Sequence, residues 1–242
     1  MKLYFLTLFP DELRRFFCKG LIQKAITAGL INPVFIQLRD FAINRHGQVD
    51  EPPFGGKRGM LLRIDVLYNA ITSIPDYTDA LLYYTCPKGR PLSQGMATDI
   101  HEADRPLIIL SGFYEGVDER LFKLLPVHRF SLGEVILSSG DAAAIALAES
   151  VCRLIPGVIG DPACISEDSF VCGLLEHPQY AQPRVFQNMP VPDILLSGHH
   201  QKIATWKRQQ SLGVTLLNNP SLFARNSPSV EDQALLTEFL KE

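Results

Sequence analysis

The segment Leu107-Ile108-Ile109-Leu110-Ser111-Gly112-Phe113-Tyr114-Glu115-Gly116 joins four consecutive apolar residues to a glycine-bearing turn. A short run that is apolar at every position reads as a strand buried on both faces, the kind found in parallel sheets covered by helices. Two further runs share the pattern. Leu81 to Tyr84 leads into Cys86-Pro87-Lys88-Gly89, and Val135 to Leu137 leads into Ser138-Ser139-Gly140-Asp141. Helical spacing near Asp65 to Ile74, Val117 to Leu125 and Ala142 to Leu154 completes an alternation that predicts an α/β domain on a buried parallel sheet. Ligands of such sheets bind beyond the carboxyl ends of the strands, so a site is expected at the three glycine turns.

Upstream, Leu3-Tyr4-Phe5-Leu6 reads as a strand. Pro10-Asp11-Glu12 opens one helix, with Leu13, Phe16, Phe17, Leu21 and Ala25 on one face and a cap at Gly29. Val34 to Leu38 follows as a strand. The stretch from Asp40 to Gly59 fits neither period and holds Pro52, Pro53, Gly55, Gly56 and Gly59, which marks a candidate substrate loop. Downstream, the periodicity lapses from Ile159 to Gly173. An amphipathic segment from His199 to Leu212 and a terminal helix opened by Ser229, with Asp232 three residues on, then predict a small helical domain. The expected division is residues 1–159, a linker over 160–174, and a mainly helical domain over 175–242.

The 242 residues are 46% hydrophobic and 20% charged, which excludes disordered, collagen-like and coiled-coil chains. No apolar stretch approaches the ~20 residues of a membrane span, and Asp11 and Glu12 come too early for a signal peptide, so a cytoplasmic location without a membrane partner is expected. The net charge of −3 supplies no global basic field, so any nucleic-acid contact must be local. Candidates are Lys57 and Arg58, and Lys202, Lys207 and Arg208 beside Trp206. Five cysteines without a CxxC pair argue against a disulfide framework and a zinc site, so no metal is assigned. GxGxxG, P-loop, HExxH, EF-hand and GxSxG patterns are absent. His199 and His200 are adjacent, about 100° apart on a helix, and suit surface or RNA contacts better than a shared metal.

Seven motifs carry a resemblance. They are Arg45-His46 through Val49-Asp50, Gly55-Gly56 with Gly59-Met60, Tyr114 to Arg120, Ser131 to Ser138, Ile155 to Val158, Glu167 to Phe170, and Leu195 to His199. In order and spacing across about 200 residues, the chain resembles the bacterial tRNA (guanine-N1)-methyltransferase family, TrmD, of the SPOUT class. The resemblance implies a SPOUT-type parallel sheet with a C-terminal deep trefoil knot, an exception to the rule against threaded chains. It implies an S-adenosyl-L-methionine pocket at Tyr84, Pro87, Gly112, Tyr114, Glu115, Gly116, Leu132, Gly133, Glu134, Val135, Ile136, Leu137 and Gly140. The implied reaction moves a methyl group to N1 of guanosine 37 of tRNA, beside the anticodon.

That reaction removes a proton from a ring nitrogen that is neutral at pH 7 and stabilises charge shifting onto O6, tasks for a carboxylate and a guanidinium. By resemblance Asp168 is the general base and Arg153 the cation near O6, although by themselves they read as a linker or cap residue and a helix C-terminal cation. The resemblance also points to tRNA contacts at His46, Asp50, Gly55, Gly56, Gly59, Ser197, His199 and Lys207, with no role for DNA. It implies a homodimer sharing its active sites, with Asp168 acting in trans. Mg2+ could neutralise tRNA phosphates or aid proton removal, but no dedicated carboxylate cage is evident.

Several positions depart from the family pattern. Lys57 and Arg58 replace the third glycine and the proline of a Gly-Gly-Gly-Pro-Gly-Met loop, Phe113 stands where arginine precedes Tyr-Glu-Gly, and Ser111 replaces a cysteine. Ser139, Asp141 and Ala143 replace glycine, glutamate and proline, and Ser139 would be strained if its position requires a positive φ. A diverged SPOUT homologue that acts on another RNA base, or binds RNA without turnover, is the competing reading.

Overall fold

Strand β1 (Lys2–Thr7) turns Leu3 and Phe5 to one face and Tyr4 and Leu6 to the other, and all four are buried. The computed structural model, which describes residues 1–56, 58–161, 165 and 168–241, shows why both faces need apolar side chains. β1 lies inside a five-stranded sheet ordered β2-β1-β6-β5-β7, where β2 is Asn32–Gln37, β5 Leu81–Pro91, β6 Leu107–Leu110 and β7 Val127–Ser131. Every pairing in it is parallel. Central β6 alternates in the same way as β1, with Leu107 and Ile109 in one core and Ile108 and Leu110 in the other. The chain has an α/β fold with a parallel central sheet.

Helices cover each face. On the first lie α1 (Pro10–Phe17), α2 (Gly20–Thr27), α4 (Gln94–Glu102) and α6 (Asp141–Cys152), which bury Phe17, Ile22, Met96 and Leu147 against β1 and β6. On the second lie a 3-10 turn (Leu38–Phe41), α3 (Ile64–Thr72) and α5 (Leu121–Leu124), contributing Leu38, Leu67 and Leu121. A two-residue pair, β3 (Asp50–Glu51) with β4 (Leu61–Leu62), closes the base of the loop between them.

Four expectations need correction. The single helix after Pro10 is two, because the chain breaks at Cys18 and Lys19 and restarts through Gly20 at a φ of +67°, which leaves Leu21 46% exposed. Val135 to Leu137 is not a strand. The sheet takes β7 instead, an edge strand whose His128 and Arg129 mask it in a hydrophobicity reading. The helix expected over Val117 to Leu125 is the single turn α5, and α4 lies where no helix was predicted, with the Ser93 hydroxyl accepting the Met96 amide at 3.2 Å.

The chain divides into two compact units, Met1–Gly160 and Asp161–Glu242. In the second, a small hairpin of β8 (Val185–Phe186) and β9 (Met189–Pro190) precedes α7 (Asp193–Leu196), α8 (His200–Asn218), α9 (Pro220–Arg225) and α10 (Val230–Phe239). Gly213 permits close packing of α8 on α10, since a Cβ there would run into the Phe239 ring. Ser229 and Asp232 form a full capping box on α10. Part of the expected linker, residues 162–164, 166 and 167, lies outside the described residues, as does Lys57. From Asp168 onward the chain is held in the second unit. Leu174 is buried, the Leu175 amide donates to Thr215 Oγ1 at 2.8 Å, and Asn226 Nδ2 donates to the Gly173 carbonyl. Among the described residues no helix is long and apolar enough to cross a membrane, and no group of three or more His, Cys, Asp or Glu could hold a metal ion.

Candidate active site

The parallel order β6-β5-β7 brings three chain turns to one end of the first unit. Thr85, at the end of the regular part of β5, organises them. Its hydroxyl accepts the Gly112 amide at 2.7 Å, and the Gly112 carbonyl accepts the Gly140 amide at 2.6 Å. Phe113 and Ser139 pair in an antiparallel bridge. A Cβ on Gly140 would enter the Thr85 hydroxyl and lie 2.5 Å from the Gly112 amide, and one on Gly112 would lie 2.7 Å from the Thr85 carbonyl. Two positions in adjacent turns therefore admit only glycine. β5 bulges between Thr85 and Arg90, which carries Cys86 to Lys88 outward as the third wall.

Together the turns enclose a cavity of about 410 Å3. Tyr84 and Pro87 line it from β5, and Gly112, Tyr114, Glu115 and Gly116 from the turn after β6. Leu132, Gly133, Val135, Ile136, Leu137 and Gly140 line it from the segment between β7 and α6. Glu134, also expected here, is not among the lining residues. Ile136 is 84% exposed, so this wall offers apolar surface that the unit itself does not bury. Its apolar run builds a cavity rather than a sheet, which explains the strand misreading.

Burial raises the Tyr84 phenol well above its usual range, so Tyr84 stays a neutral hydrogen-bonding group at the cavity floor. Arg129 stacks 3.6 Å over the Phe122 ring and pairs with Glu119, closing one side. Asp118 is not among the lining residues, and hydrogen bonding to Arg120 holds its carboxyl below the usual range. Among the residues that depart from the family pattern, Phe113 is buried against Phe9, with ring centroids 5.6 Å apart, and also lines the cavity. Ser139 does not adopt a positive φ, so no backbone strain attends it. Asp141 opens α6 and accepts from Thr7 Oγ1 at 2.9 Å, while burial raises its carboxyl against the effect of that bond.

The glycine loop is anchored to the same rim. The Glu115 amide donates to the Met60 carbonyl at 3.0 Å, the Leu62 amide to the Gly116 carbonyl at 2.9 Å, and the Asp118 amide to the Leu62 carbonyl at 3.2 Å. Gly59, at a φ of +97°, has the Glu115 side chain where a Cβ would stand. Asp50 sits in the β3–β4 pair, while exposed His46 lies in a turn whose amide donates to Asn44 Oδ1 at 3.0 Å. Gly55 and Gly56 both have positive φ and open space around them.

The remaining expected residues divide between the units. Half-buried Arg153 is the C-cap of α6 in the first. Half-buried Asp168 belongs to the second, in a turn where its carbonyl accepts the Val171 amide and the Ser169 hydroxyl accepts the Glu176 amide. Ser197 caps α7, its hydroxyl donating to the Ile194 carbonyl at 2.7 Å, and exposed His199 precedes α8. Lys207 is half-buried on α8, and Trp206 packs near His177 and Tyr180. Arg208, a candidate phosphate contact, donates through Nε and Nη2 to the two oxygens of Asp232. Thr85 is the organising residue that the sequence did not reveal, because its partners lie in distant turns.

A sequence profile described as the tRNA (Guanine-1)-methyltransferase TrmD family matches residues 1–225. The chain belongs to this family. Relatives named tRNA (guanine-N(1)-)-methyltransferase match along essentially the whole length. That of Staphylococcus carnosus is 37% identical over 242 residues, covering 100% of this chain and 98% of the relative. That of Thermus thermophilus is 40% identical over 242 residues, covering all of both chains. That of Syntrophomonas wolfei is 40% identical over 240 residues, covering 99% and 97%. The chain is thus a TrmD-family methyltransferase by descent, and its strand-end cavity is the candidate site of that chemistry.

Proposed function

We propose that the protein transfers a methyl group from S-adenosyl-L-methionine to N1 of guanosine 37 in tRNA. The observation that carries the reading is the glycine-walled cavity at the ends of β5, β6 and β7, in a chain matched to the TrmD family over residues 1–225. Its size and its walls of backbone and apolar groups suit a nucleoside-sized ligand. Glycines at 112 and 140 let the turns close on Thr85 and so shape the cavity, and Leu137 and Ile136 offer apolar cover. When bound, S-adenosyl-L-methionine supplies an activated methyl group on a sulfonium.

The chain supplies orientation and proton handling. In this proposal Asp168 accepts the N1 proton, and the Arg153 guanidinium stabilises charge that shifts onto O6. Gly55, Gly56 and Gly59, with His46 and Asp50, hold the target nucleotide on the anchored loop, and Ser197, His199 and Lys207 meet the tRNA from the helical unit. The proposal includes the finer features implied by the resemblance. These are a deep trefoil knot in the C-terminal part of the sheet domain, a homodimer with Asp168 acting in trans, a helical tRNA-binding domain over 175–242, and a cytoplasmic location. Mg2+ would act on tRNA phosphates or on proton removal.

The test is methyl transfer from labelled cofactor to an unmodified tRNA transcript carrying guanosine at positions 36 and 37, with product nucleosides mapped. N1-methylguanosine at position 37 is expected. Asp168→Asn should lower the rate by at least about 100-fold, the scale of a lost general base, while cofactor affinity stays unchanged. Methylation of another base would sink the assignment, as would full activity of the Asp168→Asn variant.

A further inference from the structure

Phe54 is 101% exposed, and no other described large apolar residue is exposed as fully. Its position is built rather than accidental. Pro52 and Pro53 restrict the chain before it, and Gly55 and Gly56, at φ values of +88° and +80°, turn the chain immediately after it. The loop is fixed at its base by the pairing of Asp50 with Leu62 and Glu51 with Leu61, and its far end is bonded through Met60 and Leu62 to the turn that lines the cavity. A bare aromatic ring is therefore held in water on a loop rooted at the rim of the reaction site, with exposed Arg58 in the same loop. Packing inside the unit does not account for it, since the ring buries no surface there.

Single-stranded RNA is recognised through bases splayed from their neighbours and stacked on the faces of Phe, Tyr or Trp, with cationic side chains beside them. We propose that Phe54 is such a stacking platform, taking a nucleobase of the single-stranded tRNA loop adjacent to the base that is methylated. The inference rests on the tRNA reading above and adds to it a residue that selects an unpaired substrate. Phe54 is a positioning residue, because it acts on a neighbouring base and leaves the proton transfer to other groups.

The experiment compares full-length wild type with Phe54→Ala, Phe54→Leu and Phe54→Trp. The readouts are direct binding of an unmodified tRNA transcript, KM for that transcript, cofactor affinity and oligomeric state. Ala and Leu should weaken tRNA binding and raise KM by roughly 5- to 100-fold, the range seen on loss of one base–aromatic stack. Trp should stay within about twofold of wild type or bind more tightly, and cofactor affinity should not change in any variant. Leu binding as well as Phe overturns the proposal, because apolar bulk without a π face would then suffice. A shift in oligomeric state with unaltered tRNA affinity also overturns it, by assigning the ring to contact with a second copy. If wild type binds no tRNA, the functional reading falls with it; if wild type binds and methylates tRNA while Ala is unaffected, only the stacking role falls.

Discussion

Gly140 shows how one residue can hold a site together. Its amide donates to Gly112, and its Cα faces Thr85 so closely that no side chain fits. Gly140→Ala must push apart two main-chain segments rather than displace a flexible side chain, an overpacking cost of about 1–3 kcal/mol. The expected outcome is a lowered melting temperature together with at least a tenfold loss of cofactor affinity by calorimetry. An Ala variant that binds cofactor normally would show that the Thr85 junction does not shape the cavity. The neighbouring Ser139 carries no such constraint, because its backbone stays outside the left-handed region. The departure from glycine at 139 is thus compatible with the fold. The departure at 113 replaces a charge with a buried ring that packs on Phe9.

Among the elements, α8 and α10 illustrate how polar groups are committed within the helical unit. Hydrogen bonding and charge from Arg208 hold the Asp232 carboxyl below its usual range, and the same carboxylate completes the capping box of α10. A carboxylate whose pKa is depressed on folding stabilises the native state above its unfolded pKa of about 4, and this contribution is lost as the pH falls through the folded value. The pair is partly exposed, so its worth is at most about 1 kcal/mol. Asp232→Asn should therefore lower the melting temperature at pH 7, and the gap from wild type should close as the pH falls through the depressed folded pKa of the carboxyl. A gap that is independent of pH would show that the ionised pair contributes nothing. In the first unit, burial pushes the Cys152 thiol up to about 12, and it behaves as an apolar member of the core under α6.

At the scale of the whole molecule, the proposed base and the proposed cation lie in different units, Asp168 in the second and Arg153 in the first. A homodimer whose sites draw Asp168 from the opposite subunit makes a specific prediction. Neither Asp168→Asn nor Arg153→Ala should be active as a homodimer. Mixed dimers of the two contain one site with both native residues, so activity should return toward half that of wild type per mixed dimer. If Asp168 acts within its own subunit, every site in the mixture lacks one group and no activity returns. Coexpression with two affinity tags and an assay of the doubly tagged species distinguishes these outcomes.

The parallel α/β sheet was legible because β1 and β6 are apolar on both faces, a local pattern that has few other structural explanations. The glycine turn after β6 was legible from its residues, whereas Cys86 to Gly89, read as a turn, is a bulge within β5. β7 was not legible, since this edge strand carries polar His128 and Arg129 at its centre, while Val135 to Leu137 imitated a strand by supplying an apolar cavity wall. The break between α1 and α2 was also hidden, because Leu13, Phe17 and Ala25 keep a common buried face across it. The sequence by itself determined the buried strands β1 and β6 and, through seven ordered motifs, the family, since periodicity and motif spacing are properties of the linear chain. Only the tertiary structure decided that Thr85, Gly112 and Gly140 meet, that Phe113 packs on Phe9, that Arg208 is held by Asp232 and that Phe54 stands in solvent. These depend on the strand order and on distances between residues far apart in the chain.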